Sequence, residues 1–201
     1  MYQLSRTLLL CLVVLFPTSM THAQEEEIIP RIQSFGPDGI VSLEMEHFNL
    51  NTPQGSHEWI YYNEENSGGI GGGYSGDGFM RCEPDPGNIN AGYETSSPVM
   101  DYDIFFVRTG LHYVWVRYWA TGTGDNSCHV SLDNVMTGGW RMHTGDGRNS
   151  WQWANGTWDG NRATVLVESV GYHYLNVWMR EGGLRIDKII LTPNPEYKPE
   201  G

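Results

Sequence analysis

The chain has 201 residues, with 24 Asp and Glu against 12 Lys and Arg, and a formal net charge of −12. That acid excess excludes nucleic acid and anionic membrane surfaces as partners, since both need clustered cations; it suits neutral partners or divalent cations. The length predicts one domain with a sizeable core.

Residues 1–23 read as a secretory signal peptide. Arg6 supplies the basic start, Leu8 to Phe16 the apolar run, and Thr21-His-Ala23 a small-residue cleavage end. The apolar run is too short to span a bilayer. A secreted, extracellular or periplasmic location without membrane insertion is therefore expected. Residues 24–39, with Glu25-Glu-Glu27, two prolines and two glycines, read as a leader or linker. Beyond it no helical run occurs. Short alternating or aromatic-rich segments recur between turn signals, the pattern of an all-β antiparallel sandwich. The expected strands are 40–48, 59–62, 78–82, 102–107, 111–120, 127–132, 151–154, 163–167, 172–179 and 184–191. The domain is thus expected over 40–192, with 193–201 a proline-bearing tail that is frayed or a linker. Three long loops, 63–77, 83–98 and 133–150, are the places where function is expected. Cys82 and Cys128 remain after the signal peptide. They read either as a disulfide, which export permits, or as two buried thiols.

Glu44 and Glu46 share one face of the first strand, opposite Val41, Leu43 and Met45. In the last strand, period-two alternation puts Asp187 on the face of Ile189 and Leu191 and Lys188 on the other. A carboxylate on an apolar face is costly unless a cation meets it. The three carboxylates read either as two exposed glutamates and a salt-bridged aspartate, or as ligands of a hard, oxygen-preferring cation such as Ca²⁺ that rivets first strand to last.

Gly71-x-Gly73-x-x-Gly76 matches the dinucleotide fingerprint formally, but no helix follows it, so it reads as a glycine-rich surface loop. The histidines lack zinc spacing, and no Gly-x-Ser-x-Gly elbow is present. The aromatic residues carry more information. Trp115, Trp119 and Trp178 lie on long alternating strands and read as core. Trp140, Trp151, Trp153 and Trp158 cluster among Asn149, Gln152, Asn155 and Asp159. Flat apolar rings beside directed polar groups suit the C–H face and hydroxyl rim of a sugar.

Four segments taken in order resemble the carbohydrate-binding modules of families 6 and 35, galactose-binding-like jelly-roll sandwiches. They are Val41-Ser-Leu-Glu-Met-Glu46, Thr109 to Ala120, Gly171-Tyr-His-Tyr-Leu-Asn-Val177 and Leu184 to Thr192. The resemblance covers Ile40 to Thr192. It implies that Glu44, Glu46 and Asp187 bind structural calcium, that Trp151 is the middle-loop tryptophan of the sugar site, and that Tyr74 or Tyr62 is its early aromatic. Where the family has an asparagine before its closing aspartate, this chain has Arg185. A guanidinium there either grips acidic sugars through paired donors, bridges Glu181, or closes the site.

The expectation is a secreted, non-catalytic, lectin-like module with structural calcium. It binds polysaccharide or glycan through Trp151 and Trp140, with Tyr74 alongside and Arg185 and Arg180 as donors, either alone or docked on a secreted polysaccharide-degrading enzyme. The alternatives are a β-sandwich glycoside hydrolase or polysaccharide lyase, which needs an acid–base pair in the aromatic groove, and a structural or adhesion protein, which needs a broad apolar patch.

Overall fold

The computed structural model describes residues 31–67, 70, 72–139, 141–143 and 149–201. The expected signal peptide, the acidic leader as far as Pro30, and Trp140 lie outside the described residues. In chain order the elements are β1 (Arg31–Ile32), β2 (Val41–Glu44), β3 (Leu50–Thr52), β4 (Glu58–Tyr62), β5 (Phe79–Glu83), α1 (Tyr93–Ser96), β6 (Val99–Phe106), β7 (Gly110–Trp119), β8 (Ser127–Leu132), β9 (Met142–His143), β10 (Gln152–Ala154), β11 (Gly156–Thr157), β12 (Thr164–Val167), β13 (Gly171–Met179) and β14 (Arg185–Thr192). Every strand expected from the sequence forms. The unexpected elements, β1, β3, β9, β11 and α1, are too short to carry a periodic signal.

The strands build two seven-stranded sheets. The first runs β1-β6-β13-β8-β9-β11 with β3 also on β6; the second runs β10-β7-β14-β5-β4 with β12 also on β7 and β2 on β14. Residues along β6, and along β7 from Leu111 onward, alternate between exposed or partly exposed and buried, as sheets with one face on a core require. Tyr102, Ile104 and Phe106 of the first sheet meet Val114, Val116, Ile186, Ile189 and Leu191 of the second in one core. The Tyr102 hydroxyl, wholly buried, donates to Met45 O at 2.6 Å, which satisfies a polar group that burial would otherwise penalise. Cys82 and Cys128 are both buried and free. Burial pushes both thiols up, Cys128 to about 12, so the buried-thiol reading holds.

Three expectations need correction. Asp187 does not share the face of Ile189 and Leu191. The register of β14 on β7 pairs Ile186 with Tyr118 and then Lys188 with Arg117, so Asp187 is the extra residue of a β-bulge. Ile186 and Ile189 both enter the core, and Asp187 meets the outward Arg117. A bulge re-aims side chains in this way without breaking the strand.

The domain also begins before Ile40. β1 pairs in parallel with β6, and Gln33 is completely buried. Its Nε2 lies 2.8 Å from Gly39 O and 2.7 Å from His112 Nε2, while its Oε1 accepts from the amides of Val107 and Arg108. One side chain thereby ties residues 31–39 to the end of β6 and the start of β7.

The third correction concerns the tail. Tyr197 and Pro199 are partly buried while Glu196, Lys198 and Glu200 are exposed, the alternation of an extended strap lying on a surface. Gly201 O accepts from Trp153 Nε1 at 3.0 Å. Residues 197–201 therefore lie along the outer face of the second sheet.

On the outer face of the first sheet α1 seats Tyr93 against His129 and Trp178, with ring centroids 4.2 and 5.4 Å apart. Trp178 is thus buried, but outside the main core. The Arg141 amide donates to His129 Nδ1 at 3.1 Å, and Nε2 lies 3.1 Å from Ile89 O. A neutral ring with its proton on Nε2 fits both partners. Burial holds this imidazole down to about 4.

Replacing Gln33 by Ala strands two amides and removes the His112 contact, and should lower stability by about 2–4 kcal/mol, measured by urea denaturation. His129 stays neutral in the fold but gains a proton in the unfolded chain below its ordinary pKa. Stability should therefore fall as pH drops from about 6.5 towards about 4. Melting curves across that window should be flatter for His129→Gln than for the unaltered chain.

Candidate functional site

Three neighbourhoods gather the chemistry-bearing residues. The first lies where β2 meets β14. Glu44 and Lys188 stand opposite each other in register, and their charges meet at 2.5 Å. Lys188 is also opposite Arg117, and Arg117 opposite Trp153. Glu44, Lys188, Arg117 and Trp153 therefore form one row across four strands. The turn Ser75–Asp77 folds over it. Ser75 N donates to Asp187 Oδ1 at 2.9 Å and Ser75 Oγ to Glu44 Oε2 at 2.7 Å, while Asp77 N donates to Glu46 Oε1 at 2.8 Å. Gly76 is required here. Its φ is +62°, and a Cβ would stand 2.3 Å from Glu46 Oε1 and 3.3 Å from Glu44 Oε2.

The structure thus brings Glu44, Glu46 and Asp187 to one turn, as the sequence reading expected. It also answers two of them internally, Glu44 with Lys188 and Asp187 with Arg117. Burial still holds the Asp187 carboxyl above its ordinary value despite Arg117, and burial raises that of Glu46 as well. Among the described residues no three His, Cys, Asp or Glu side chains form a ready metal cage. The donor set nonetheless suits a hard cation: it is all oxygen, and Glu46 Oε2 is buried without a partner.

The second neighbourhood is the outer face of the second sheet. Phe79, fully buried yet outside the main core, is covered by Tyr62, Tyr74 and Trp151 at centroid distances of 5.7, 5.7 and 5.2 Å. Trp151 also abuts Trp119 at 5.6 Å, and its indole N–H is buried without a partner. Arg117 lies 5.7 Å from its ring. The structure therefore brings Trp151 and Tyr74 together, but most of the Trp151 ring packs on neighbours. Trp115, Arg117 and Trp119 share the outward phase of β7, which corrects the reading of Trp115 and Trp119 as core. Arg185 stands beside Trp119 in register. Its guanidinium turns to Gly183 O at 2.9 Å and Asp125 at 3.4 Å, so Arg185 is buried against these two rather than bridged to Glu181.

The third neighbourhood is the loop end of the sandwich. Arg180 leaves β13 on the other sheet. Its Nη1 donates to Ser127 Oγ and Glu181 Oε1, both at 2.5 Å, and its Nε to Asn90 Oδ1 at 3.1 Å. Glu181 also accepts from Asn88, the Asn126 amide and the Ser127 hydroxyl. Over this polar floor lies Trp158, which is 57% exposed. Arg180 is 5.7 Å from its ring and His143 meets it edge-on at 5.1 Å. Arg180 is thus separate from Trp151 and Tyr74. Trp158 was visible in the sequence as a loop tryptophan; its exposure is revealed by the fold.

A Ser–His–Asp string also forms. His173 Nδ1 is 2.6 Å from Asp133 Oδ2. Its Nε2, however, is 2.9 Å from Ser169 O and 3.5 Å from Ser169 Oγ. The ring is aimed at the carbonyl, so it is not set to take a proton from the hydroxyl.

Comparison with known proteins agrees with this architecture. The family model described as the glycosyl hydrolase family 115 C-terminal domain matches residues 36–199. The protein P23 of Formosa agariphila, itself uncharacterized, is 30% identical over 188 residues, covering 81% of this chain and 46% of that protein. The chain therefore spans about half the length of that relative. Among solved structures, the isomalto-dextranase of Arthrobacter globiformis T6 complexed with panose aligns with a TM-score of 0.50 at 15% identity, over 76% of this chain and 23% of that one. A family 35 carbohydrate-binding module from Clostridium thermocellum aligns with a TM-score of 0.45 at 12% identity, over 76% and 96%. At 15% identity the likeness to the isomalto-dextranase shows the fold alone, an all-β sandwich. This chain belongs to the glycosyl hydrolase family 115 C-terminal domain family.

Proposed function

We propose that the chain is a secreted, non-catalytic domain that holds a polysaccharide or glycan against Trp158 at the loop end and serves a polysaccharide-degrading enzyme. The observation that carries the reading is the exposed indole itself. Trp158 offers a large exposed face, is steadied by Arg180 and His143, and stands by an Arg180–Glu181 pair that Asn90 and Asn88 hydrogen-bond. A steadied aromatic plane beside directed donors and acceptors is what sugar recognition needs. Membership of a hydrolase-associated family supports the enzyme partner. The signal-like sequence of residues 1–23 supports secretion. The diverted ring of His173 supports a binding role over acyl-transfer catalysis.

In this reading Trp151 and Tyr74 shape the outer face of the second sheet, and calcium is a structural ligand of Glu44, Glu46 and Asp187. Its chemistry there is charge neutralisation. The chain's own residues fix the turn: Ser75 and Asp77 bind the carboxylates through backbone amides, and Gly76 leaves room between them.

Affinity electrophoresis in gels containing xylan, mannan or laminarin tests the site. Trp158→Ala should lose about tenfold in affinity, equivalent to about 1.4 kcal/mol, with melting unchanged. Trp151→Ala should instead destabilise the fold by about 2–4 kcal/mol. Retained binding by Trp158→Ala rules out this surface. For the cation, added calcium should raise the melting temperature of the unaltered chain and chelation reverse it, whereas Glu46→Gln should lose that increment. Equal increments in both proteins would exclude Glu46 as a ligand.

A further inference from the structure

The turn at Ser75–Asp77 presents three carboxylates with two cations already among them. Lys188 Nζ is 2.5 Å from Glu44 Oε1, and Arg117 Nη1 pairs with the fully buried Asp187. Among the described residues Glu46 has no such partner; its Oε1 takes the Asp77 amide, and its Oε2 is buried and unpaired. The cluster is thus one positive charge short of balance, and the shortfall sits on Glu46. A divalent ion coordinated by all three carboxylates would bring its charge against those of Lys188 and Arg117 at Glu44 and Asp187. The two resident cations and the incoming one therefore compete.

Arg117 has a second set of contacts. Its Nη2 donates to Gly73 O at 2.7 Å, its Nε to Gly201 O at 3.4 Å, and its guanidinium lies 5.7 Å from the Trp151 ring. These contacts lie on the face lined by Tyr74, Trp153 and the strap. Release of Nη1 from Asp187 leaves Arg117 anchored there with a donor free.

We propose that Arg117 and Lys188 are built-in counter-cations that compete with Ca²⁺ for Asp187 and Glu44, so that calcium binding frees an Arg117 donor at the Trp151 face. The proposal rests on the calcium reading above and adds its regulation. By linkage, an anionic group that engages Arg117 at that face must tighten calcium binding by the same factor.

Calorimetric titration of the full chain with calcium chloride, after chelation and dialysis, tests the competition. Each of Lys188→Met and Arg117→Met removes one competitor and should bind calcium about tenfold more tightly than the unaltered chain, since a unit charge next to the site is gone. Arg117→Met leaves Asp187 buried without its cation; folding that depends on added calcium would support the proposal too. Lys188 is partly exposed, so Lys188→Met keeps the test available if Arg117→Met does not fold at all. Calcium binding by the unaltered chain, with equal or weaker binding by Lys188→Met, overturns the competition and leaves the calcium reading standing. Binding by Lys188→Met alone supports the competition and overturns resident calcium in the unaltered chain. No binding by any protein overturns both.

Discussion

A carboxylate with no exposed surface must be answered, and Asp187 is the residue around which this sandwich solves that problem. The β14 bulge takes its side chain out of the hydrocarbon core and sets it beside Arg117. The same bulge allows Ile186 and Ile189 to pack inward on either side. Had the strand run regularly, a charge would stand among Leu43, Val116 and Leu191, at a cost that pairing rarely recovers. The Ser75 amide and hydroxyl complete the shell, so the long glycine-rich loop is fastened to the sheet by the charge it covers.

From that fixed point the two sides of the domain take different roles. The outer face of the second sheet is spent on internal packing, with Phe79 buried by tyrosines and Trp151 and the strap laid over Trp153. The loop end keeps an aromatic plane in solvent. Its floor is a chain of charge-assisted hydrogen bonds through Arg180, Glu181 and Ser127. Such bonds hold side chains in place more firmly than neutral ones, which gives Trp158 a rigid base.

Much of the fold was legible because alternation is a direct imprint of a half-buried sheet. The strands over 99–106, 110–119 and 171–179 announce themselves in this way, and so does the pairing of Glu44 and Glu46 on one face. The Asp187 bulge was not legible, since one extra residue changes no local composition while inverting the phase beyond it. Gln33 was hidden for a different reason. A polar residue among prolines and glycines reads as linker until its four partners, dispersed along the chain, are known. At the site, sequence named the loop tryptophans and favoured Trp151 and Trp140. Exposure separates Trp158 from Trp151, and exposure depends on what Phe79 and Trp119 bring from other strands. The glycosyl hydrolase family was likewise beyond the residue pattern, which pointed to an all-β sandwich.

The pairing of β2 with β14 has a kinetic consequence. Among the described residues, Val41 to Glu44 pair only with residues 188–191, so β2 has no strand to zip onto until those distant residues have been made. Closing so distant a pairing carries a large entropic toll before any contact rewards it. Nascent polypeptide emerging from a ribosome would keep the Val41 and Leu43 strand unpaired until then, and maturation should be slow and sensitive to holdase chaperones.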